Sequence, residues 1–157
     1  METAYILLGS NQGMAAEQIH DACLEIERSA GQITSRSSLY RTAAWGLQDQ
    51  PDFLNQALAI GTSLSPGPLL QTLLGIEQSM GRVRREKWGP RQIDIDILLF
   101  GDRVVDEPGL ILPHPRMHLR RFALVPLAEI APEVVHPLLQ QTISALLENC
   151  SDDLAVE

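Results

Sequence analysis

The 157-residue sequence is short of several kinds of residue, and each shortage excludes a class of protein. Its two cysteines, Cys23 and Cys150, are too few and too far apart for a disulfide framework or a cysteine metal site. We expect both to pack as small apolar residues. No apolar run approaches the roughly 18 residues of a membrane helix, and residues 1–11 lack the basic and apolar parts of a secretory signal. We therefore expect a cytoplasmic protein with no membrane partner.

Basic residues are also scarce, since twelve Lys and Arg stand against twenty Asp and Glu, for a net charge of −8. This balance argues against a protein that binds nucleic acid by general electrostatic attraction. Eight of the twelve basic residues fall in 82–91 and 116–121, and eleven of the twelve are arginine, which suits bidentate contact with phosphate. Such clustering indicates a small anionic ligand. The alternative is that both segments are simply solvated loops.

Three common catalytic patterns are missing. The sequence has no G-x-x-x-x-G-K-[ST] phosphate loop and no G-x-G-x-x-G dinucleotide fingerprint. Neither cysteine has a motif around it, and Ser10 has no defined base partner, so a nucleophilic triad is not indicated. Any phosphate chemistry must therefore use another arrangement.

Hydrophobic periodicity predicts one domain, residues 1–157, in which strands and helices alternate. We expect Gly81 to end the second helix, and Leu70, Leu73 and Leu74 to face the core from it. The predicted strands are 4–11, 32–41, 53–64 and 92–101, with 103–106 as a possible hairpin partner of the last, and the predicted helices are 15–30, 65–81, 120–130 and 139–149. The order strand, helix, strand, strand, helix, strand is the split βαβ pattern of a ferredoxin-like α+β sandwich, here with a C-terminal extension.

Two carboxylates stand one residue apart in the stretch "IDIDILLF", residues 93–100. In a strand, Asp94 and Asp96 point to the same side, about 6.5–7 Å apart at their Cα atoms, while the isoleucines point into the core. Carboxylates this close repel each other, and a pair of divalent cations would relieve the repulsion. Mg²⁺ is the natural choice, because it is held by one or two carboxylates together with substrate phosphates. The alternative is a solvated strand face with arginine partners.

The basic segment 82–91 leads directly into this strand, and arginines facing carboxylate-held Mg²⁺ are what phosphoryl transfer requires. A second stretch, "LPHPRMHLRRF" (112–122), supplies further histidines and arginines. A third, residues 41–57, places Phe53 two residues before Asn55 on one strand face. An aromatic ring and an amide together suit a planar heterocycle. The alternative is that Phe53 is a core residue and Asn55 a turn residue, and a polar side chain on an apolar strand argues mildly against it.

These stretches together resemble one family, the 6-hydroxymethyl-7,8-dihydropterin pyrophosphokinases of folate biosynthesis. The resemblance runs nearly end to end and rests on "GSN" (9–11), "YRT" (40–42), "QPDFLNQA" (50–57), "GRVRREKWGPRQIDIDILLFG" (81–101), "LPHPRM" with "RRF" (112–122), and "VPLAEIAPE" (125–133). It implies a ferredoxin-like sandwich that transfers the pyrophosphate of ATP to the pterin hydroxymethyl group and releases AMP. It also implies two Mg²⁺ ions.

The resemblance assigns roles position by position. Asp94 and Asp96 resemble the metal ligands of the family. Together with Arg82 and Arg91, they correspond to its catalytic residues. The ATP contacts correspond to Arg82, Arg84, Trp88, Arg91, His114, Arg116 and Arg120. The pterin contacts correspond to Thr42, Ala43, Ala44, Trp45, Phe53, Asn55 and Phe122. Many family members carry two prolines where Ala43 and Ala44 stand, which bears on the rigidity of this loop rather than on its ligand. Glu77 is either a ligand contact or a structural partner of an arginine.

Two other functions are compatible with parts of the pattern. A ferredoxin-like RNA-binding module would need exposed sheet aromatics and a basic face, whereas this sheet carries two aspartates. Another metal-dependent nucleotidyl or phosphoryl transferase would share the phosphate machinery and differ in its acceptor. We expect a monomer whose partners are ATP and the pterin alcohol.

Overall fold

The computed structural model describes residues 1–11, 14–42, 52–83 and 93–157, with the side chains of 82 and 83 left out. Its elements in chain order are β1 (Glu2–Ser10), α1 (Ala15–Ser29), β2 (Gln32–Arg36), β3 (Tyr40–Thr42), β4 (Phe53–Thr62), α2 (Pro66–Val83), β5 (Asp94–Phe100), β6 (Val105–Glu107), β7 (Leu110–Leu112), a 3₁₀ turn (Met117–Leu119), α3 (Arg121–Ile130) and α4 (Ile143–Glu148). None of the helices in these ranges is long and apolar enough to cross a membrane.

The main sheet is antiparallel, with the strand order β2-β4-β1-β5 and the short β3 also paired to β4. The two helices α1 and α2 follow β1 and β4, so each helix connects two strands that are not neighbours. This is the split βαβ arrangement, and it confirms the predicted ferredoxin-like sandwich.

The sheet is covered on both faces. Helices α1 and α2 pack against one face, where the alternate strand residues Ile6, Leu8 and Leu58 are fully buried. On the opposite face, α3 and α4 pack against one part of the sheet through residues such as Leu124 and Leu127. Each such side chain contributes about 1.5–3 kcal/mol by its removal from water. The rest of that second face carries the polar residues described below.

The predicted strand over 32–41 is two strands, because Ser37 interrupts it. The Ser37 hydroxyl accepts a hydrogen bond from the backbone N–H of Ala57 (2.9 Å) and donates one to the carbonyl of Ser38 (2.7 Å). A side chain thus takes the place of a backbone partner, and the regular ladder stops. The chain rejoins β4 at Tyr40.

Helix α2 corrects two predictions. It continues through Gly81 to Val83, since a helical glycine costs only about 1 kcal/mol relative to alanine. Leu73 is buried and Leu70 packs partly buried against the core, as predicted, and Leu69 is buried as well, whereas Leu74 is 38% exposed. Residues 69, 73 and 76 form the buried row at helical spacing.

Two further boundaries were predicted wrongly. Residues 103–106 do not pair with β5; instead β6 pairs with β7, and Gly109, at φ +81°, lies in the connecting turn where a left-handed residue is needed. The last helix begins at Ile143 rather than at 139, because the Thr142 hydroxyl accepts a hydrogen bond from the N–H of Ala145 and caps it. Leu139 precedes the helix and is exposed.

Candidate active site

A row of side chains crosses three adjacent strands on the sheet face away from α1 and α2. Gly9 of β1 pairs with Asn55 of β4 on one side and with Asp94 of β5 on the other. Neighbouring strands are about 4.8 Å apart, so Asn55 and Asp94 are separated by roughly 10 Å, measured between their backbones. In the row two residues along, Leu7 pairs with Asp96. The fold thus brings an amide and two carboxylates onto one surface.

Gly9 leaves room for the Asn55 side chain. A Cβ atom built on Gly9 would lie 2.7 Å from Asn55 Oδ1, which is closer than real Cβ atoms approach other atoms. Asn55 is 4% exposed, and its Nδ2 donates a long 3.5 Å hydrogen bond to Thr42 Oγ1. A nearly buried amide on a strand needs polar partners. The cleft beside it is where such partners can bind.

The cleft over this surface has a volume of about 780 Å³. Its lining combines aromatic, amide, carboxylate and guanidinium groups, drawn from the sheet, from the start of α3 and from the last residues of the chain. The lining residues are Leu7, Gly9, Thr42, Phe53, Asn55, Asp94, Asp96, Arg116, Leu119, Arg120, Phe122, Ser151, Asp152, Asp153 and Leu154. A cleft of this size accommodates ligands of the usual small-molecule range, about 300–1,000 Å³.

Two phenylalanines from different elements line the cleft. Phe53 begins β4 and Phe122 is the second residue of α3, and both are partly exposed. The guanidinium of Arg120 lies 5.6 Å from the centre of the Phe122 ring, within the range of a cation–π contact. The strand and the helix thus present two aromatic rings to one space, which suits a flat ligand.

The strand that carries the two aspartates is hydrogen-bonded to α2 at the residue between them. Ile95 is buried, as predicted, and its backbone N–H points away from β1 and donates a 2.6 Å hydrogen bond to Glu77 Oε2 of α2. Glu77 is 9% exposed and binds the edge of β5 at the residue that separates Asp94 from Asp96. This contact is made to the strand backbone, and the two roles predicted for Glu77, a ligand contact or a structural partner of an arginine, stay predictions.

His114 lies beside the cleft, anchored by its backbone N–H to the carbonyl of Leu98 (2.9 Å). Its Nδ1 accepts a hydrogen bond from the backbone N–H of Arg116 (3.2 Å). Burial lowers the pKa of His114; Asp96 opposes this effect, while Arg120 and Arg116 add to it. The ring is therefore neutral near pH 7, with Nε2 carrying the proton as a donor.

The structure brings together eight residues that the sequence analysis assigned to the site. They are Thr42, Phe53, Asn55, Asp94, Asp96, Arg116, Arg120 and Phe122. Six assigned residues lie outside the described part of the chain: Ala43, Ala44, Trp45, Arg84, Trp88 and Arg91. Arg82 belongs to the last turn of α2, and its side chain is not described.

Residues 151–154 were not among the predicted site residues. These residues reach the cleft through tertiary folding, and an acidic run such as "SDD" is typical of a solvated segment. Gly9 and Leu7 were not assigned to the site either. The alternation of side chains along a strand places both residues on the same face of β1.

The donor set at β5 suits a hard divalent cation. Asp94 and Asp96 are half-buried carboxylates that open onto the cleft, and oxygen ligands are what Mg²⁺ prefers. Within the described ranges, no group of three or more His, Cys, Asp or Glu side chains is placed to hold a metal ion. A cation bound by these two carboxylates would need further oxygen ligands, which substrate phosphates and water can supply.

Comparison with known families bears on this arrangement. Residues 5–132 match the model of the 7,8-dihydro-6-hydroxymethylpterin-pyrophosphokinase (HPPK) family. This chain belongs to the HPPK family. The matched region holds every described cleft residue except 151–154.

Curated relatives agree with the family match. The chain is 47% identical over 146 residues to the 2-amino-4-hydroxy-6-hydroxymethyldihydropteridine pyrophosphokinase of Synechocystis sp., covering 92% of this chain and 74% of the relative. It is 44% identical over 153 residues to the enzyme of the same name from Haemophilus influenzae, covering 97% and 95%.

Solved structures of similar fold include HPPK-DHPS of Plasmodium falciparum. The wild-type structure has a TM-score of 0.76 at 18% identity, and the wild type with pterin and p-hydroxybenzoate has a TM-score of 0.74 at 20% identity. Both comparisons cover 94% of this chain but only 44% and 42% of the longer structures. At this level of identity they establish the fold alone.

Proposed function

We propose that this HPPK-family chain transfers the pyrophosphoryl group of ATP to the hydroxymethyl group of 6-hydroxymethyl-7,8-dihydropterin. The products are AMP and the pterin diphosphate, and the reaction is a step of folate biosynthesis. The hydroxymethyl oxygen forms a bond to the β-phosphorus while the bond from that phosphorus to the α,β-bridging oxygen breaks. The hydroxyl proton leaves to solvent, and the bridging oxygen departs with AMP.

One observation carries this proposal beyond family membership. The register of β4, β1 and β5 puts Asn55 and the two aspartates on one surface, with Gly9 between Asn55 and Asp94. An acceptor read by Asn55 therefore lies about 10 Å or less from phosphates bound near Asp94. Holding two reactants in this way is, together with electrostatic stabilisation, a main source of rate in phosphoryl transfer.

The pterin is proposed to bind on the β4 side of the cleft. Phe53 and Phe122 line that space and can stack on the ring faces. Asn55 presents both a donor and an acceptor, as the amide edge of a pterin requires. Thr42, next to Asn55, completes the described part of this pocket; Ala43, Ala44 and Trp45 are proposed for it from the family motif.

The nucleotide is proposed to bind toward Arg116, Arg120 and the neutral His114. The two arginines line the cleft and supply fixed positive charge for phosphate oxygens. The Nδ1 of His114 accepts from the N–H of Arg116, and its Nε2–H is proposed to donate to the nucleotide. From the motif alone, Arg82, Arg84, Trp88 and Arg91 are proposed as further ATP contacts, with Arg82 and Arg91 acting on the transferred group.

Activity is proposed to depend on Mg²⁺, with two ions held between Asp94, Asp96 and the ATP phosphates. When bound, such ions stabilise negative charge on the phosphate oxygens. The protein would hold the two carboxylates in place. Glu77 contributes to this through its hydrogen bond to the backbone of Ile95, the residue between them. We further propose that residues 1–157 act as one domain, as a monomer and in the cytoplasm.

Nucleotide product analysis tests the reaction. The purified protein is incubated with ATP and Mg²⁺, with and without the reduced pterin alcohol, and nucleotides are separated by chromatography. We expect AMP only when the pterin is present. ADP in place of AMP would indicate an ordinary kinase with this fold and would contradict the proposal.

A further inference from the structure

The chain after α4 contributes to the cleft. Residues 151–154 line it together with the sheet residues. This segment lies beyond residue 132, where the match to the family model ends. It forms two separate attachments to the rest of the molecule, and each of them is made to an element that carries proposed pterin contacts.

The first attachment is at the N-terminus of α3. Asp152 Oδ2 accepts a hydrogen bond from the backbone N–H of Arg121, the first residue of that helix, at 3.0 Å. Asp152 Oδ1 accepts another from the N–H of Leu154, also at 3.0 Å, which fixes the carboxylate in the turn of its own segment. Both carboxylate oxygens are thus used.

Helix α3 has no cap of its own. Its N-cap residue, Arg120, makes no side-chain capping hydrogen bond, and its first turn holds no acidic residue. A carboxylate at a helix N-terminus satisfies a free N–H and interacts favourably with the helix dipole. Asp152 supplies this carboxylate from 31 residues away in sequence. The helix start that it holds carries Phe122, the second residue of α3, which lines the cleft.

The second attachment is at β3. Val156 forms an antiparallel bridge with Thr42, and the backbone N–H of Glu157 donates a 2.9 Å hydrogen bond to the carbonyl of Arg41. Thr42 is the last residue of β3 and is hydrogen-bonded to Asn55. Segment 151–157 therefore connects the helix end that bears Phe122 to the strand end that lies against Asn55.

We infer that segment 151–157 is part of the acceptor pocket, with Asp152 as a positioning residue that holds Phe122 through the N-terminus of α3. This inference rests on the proposed function, since it assigns the pocket to a pterin. Neither Asp152 nor Glu157 needs to touch the ligand; each acts on residues that do.

Two matched pairs of variants test the inference. Asp152→Ala removes both acceptors, whereas Asp152→Asn keeps one carbonyl oxygen and should recover part of the loss. Glu157→Pro deletes the N–H that binds Arg41, whereas Glu157→Ala keeps it. Asp106→Asn, on exposed β6 away from the cleft, is the control for loss of one negative charge.

Steady-state kinetics and calorimetry are measured for each ligand separately. For Asp152→Ala we expect the KM and Kd for the pterin to rise on the order of ten-fold, with kcat and the Kd of a non-hydrolysable ATP analogue within about two-fold. Glu157→Pro should raise the pterin KM several-fold, and Glu157→Ala and Asp106→Asn should not. Amide hydrogen exchange at Arg121 reports the contact itself, and protection there should fall in Asp152→Ala.

Two outcomes would overturn the inference alone. One is loss of Arg121 protection with unchanged pterin binding; the other is an equal loss of affinity for pterin and for the ATP analogue. Failure of the parent protein to bind the pterin at all would overturn the proposed function and this inference with it. The parent protein is therefore measured first.

Discussion

Gly9 lies directly opposite Asn55 in the β1–β4 register, and a Cβ atom at Gly9 would lie 2.7 Å from Asn55 Oδ1. The position of the Asn55 amide thus depends on the absence of a side chain one strand away. The same glycine faces Asp94 on its other side, so one residue separates the proposed acceptor contact from the proposed metal ligand.

Gly9→Ala should therefore displace the Asn55 side chain. We expect pterin affinity to fall roughly ten-fold, since an edge hydrogen bond left unmade costs about 1–3 kcal/mol. Affinity for an ATP analogue should change little. Calorimetric titration with each ligand measures both. Gly75→Ala in α2 is the matched control, because nothing lies within 4 Å of an added Cβ there; a similar loss of pterin affinity in both variants would contradict this account.

Asp94→Asn and Asp96→Asn should each lower activity by on the order of 100-fold or more, because bound metal supplies several kcal/mol of charge stabilisation. The thermal unfolding midpoint should stay near that of the parent protein, since both side chains open onto the cleft. Rates are measured over a range of Mg²⁺ concentrations, with Asp106→Asn as the control. Near-normal turnover of either variant at limiting Mg²⁺ would show that the metal assignment is wrong.

Glu77→Ala should act on both stability and activity. Without Glu77 the N–H of Ile95 loses a buried acceptor, at about 1–3 kcal/mol. The strand edge that carries Asp94 and Asp96 is then less firmly held, so the Mg²⁺ concentration for half-maximal rate should rise. Urea unfolding and a Mg²⁺ titration measure the two effects. Gln78→Ala, at an exposed position of the same helix, should change neither.

The fold, and the sheet face on which several candidate site residues lie, follow from short-range patterns in the sequence, whereas the roles of those residues were assigned from the family resemblance and stay predictions. Strand alternation correctly placed Asp94 and Asp96 on the face opposite Ile95, and placed Phe53 and Asn55 together. The failures have physical causes. Gly81 did not end α2, because a local penalty of about 1 kcal/mol is smaller than what tertiary packing contributes to a helix.

Local sequence patterns did not predict the contacts between residues far apart in the sequence. The approach of Asp152 to α3 depends on where the whole chain brings two segments 31 residues apart, and neither segment carries a local signal for it. Likewise, the hydroxyl of Ser37 interrupts a strand only because Ala57 is opposite. A polar residue within a β-rich run indicates that such a contact is possible but does not identify the partner.

Stability should fall in mildly acidic solution, and His136 contributes to this. It is 3% exposed, its Nδ1 accepts hydrogen bonds from the N–H groups of Leu138 and Leu139, and its ring packs edge-on to His118 at 6.3 Å. Burial, and then the proximity of His118, lower the pKa of His136 in the folded protein. Between that value and the unfolded value of about 6.5, the unfolded chain binds more protons, so protonation favours unfolding.

The contribution of His136 is therefore fully present above about pH 6.5 and is lost as the pH falls through its folded pKa. His136→Asn keeps an acceptor near the Nδ1 position and removes the titration, so the decrease in unfolding free energy between pH 7 and pH 5 should be smaller. Part of the decrease should remain, since burial also lowers the pKa of His114. Urea unfolding across this range is the measurement, with exposed His20→Asn as control; equal slopes in all three proteins would exclude this role.

We propose that one surface of the sheet binds a pterin at Asn55 beside phosphates at Asp94. Titration calorimetry of Asn55→Ala with the pterin alcohol, and separately with a non-hydrolysable ATP analogue, tests it most directly. We expect a loss of about ten-fold or more in pterin affinity, because the edge hydrogen bonds are lost, with nucleotide affinity nearly unchanged. Parent-like pterin binding by this variant, or a loss of nucleotide affinity instead, would contradict it.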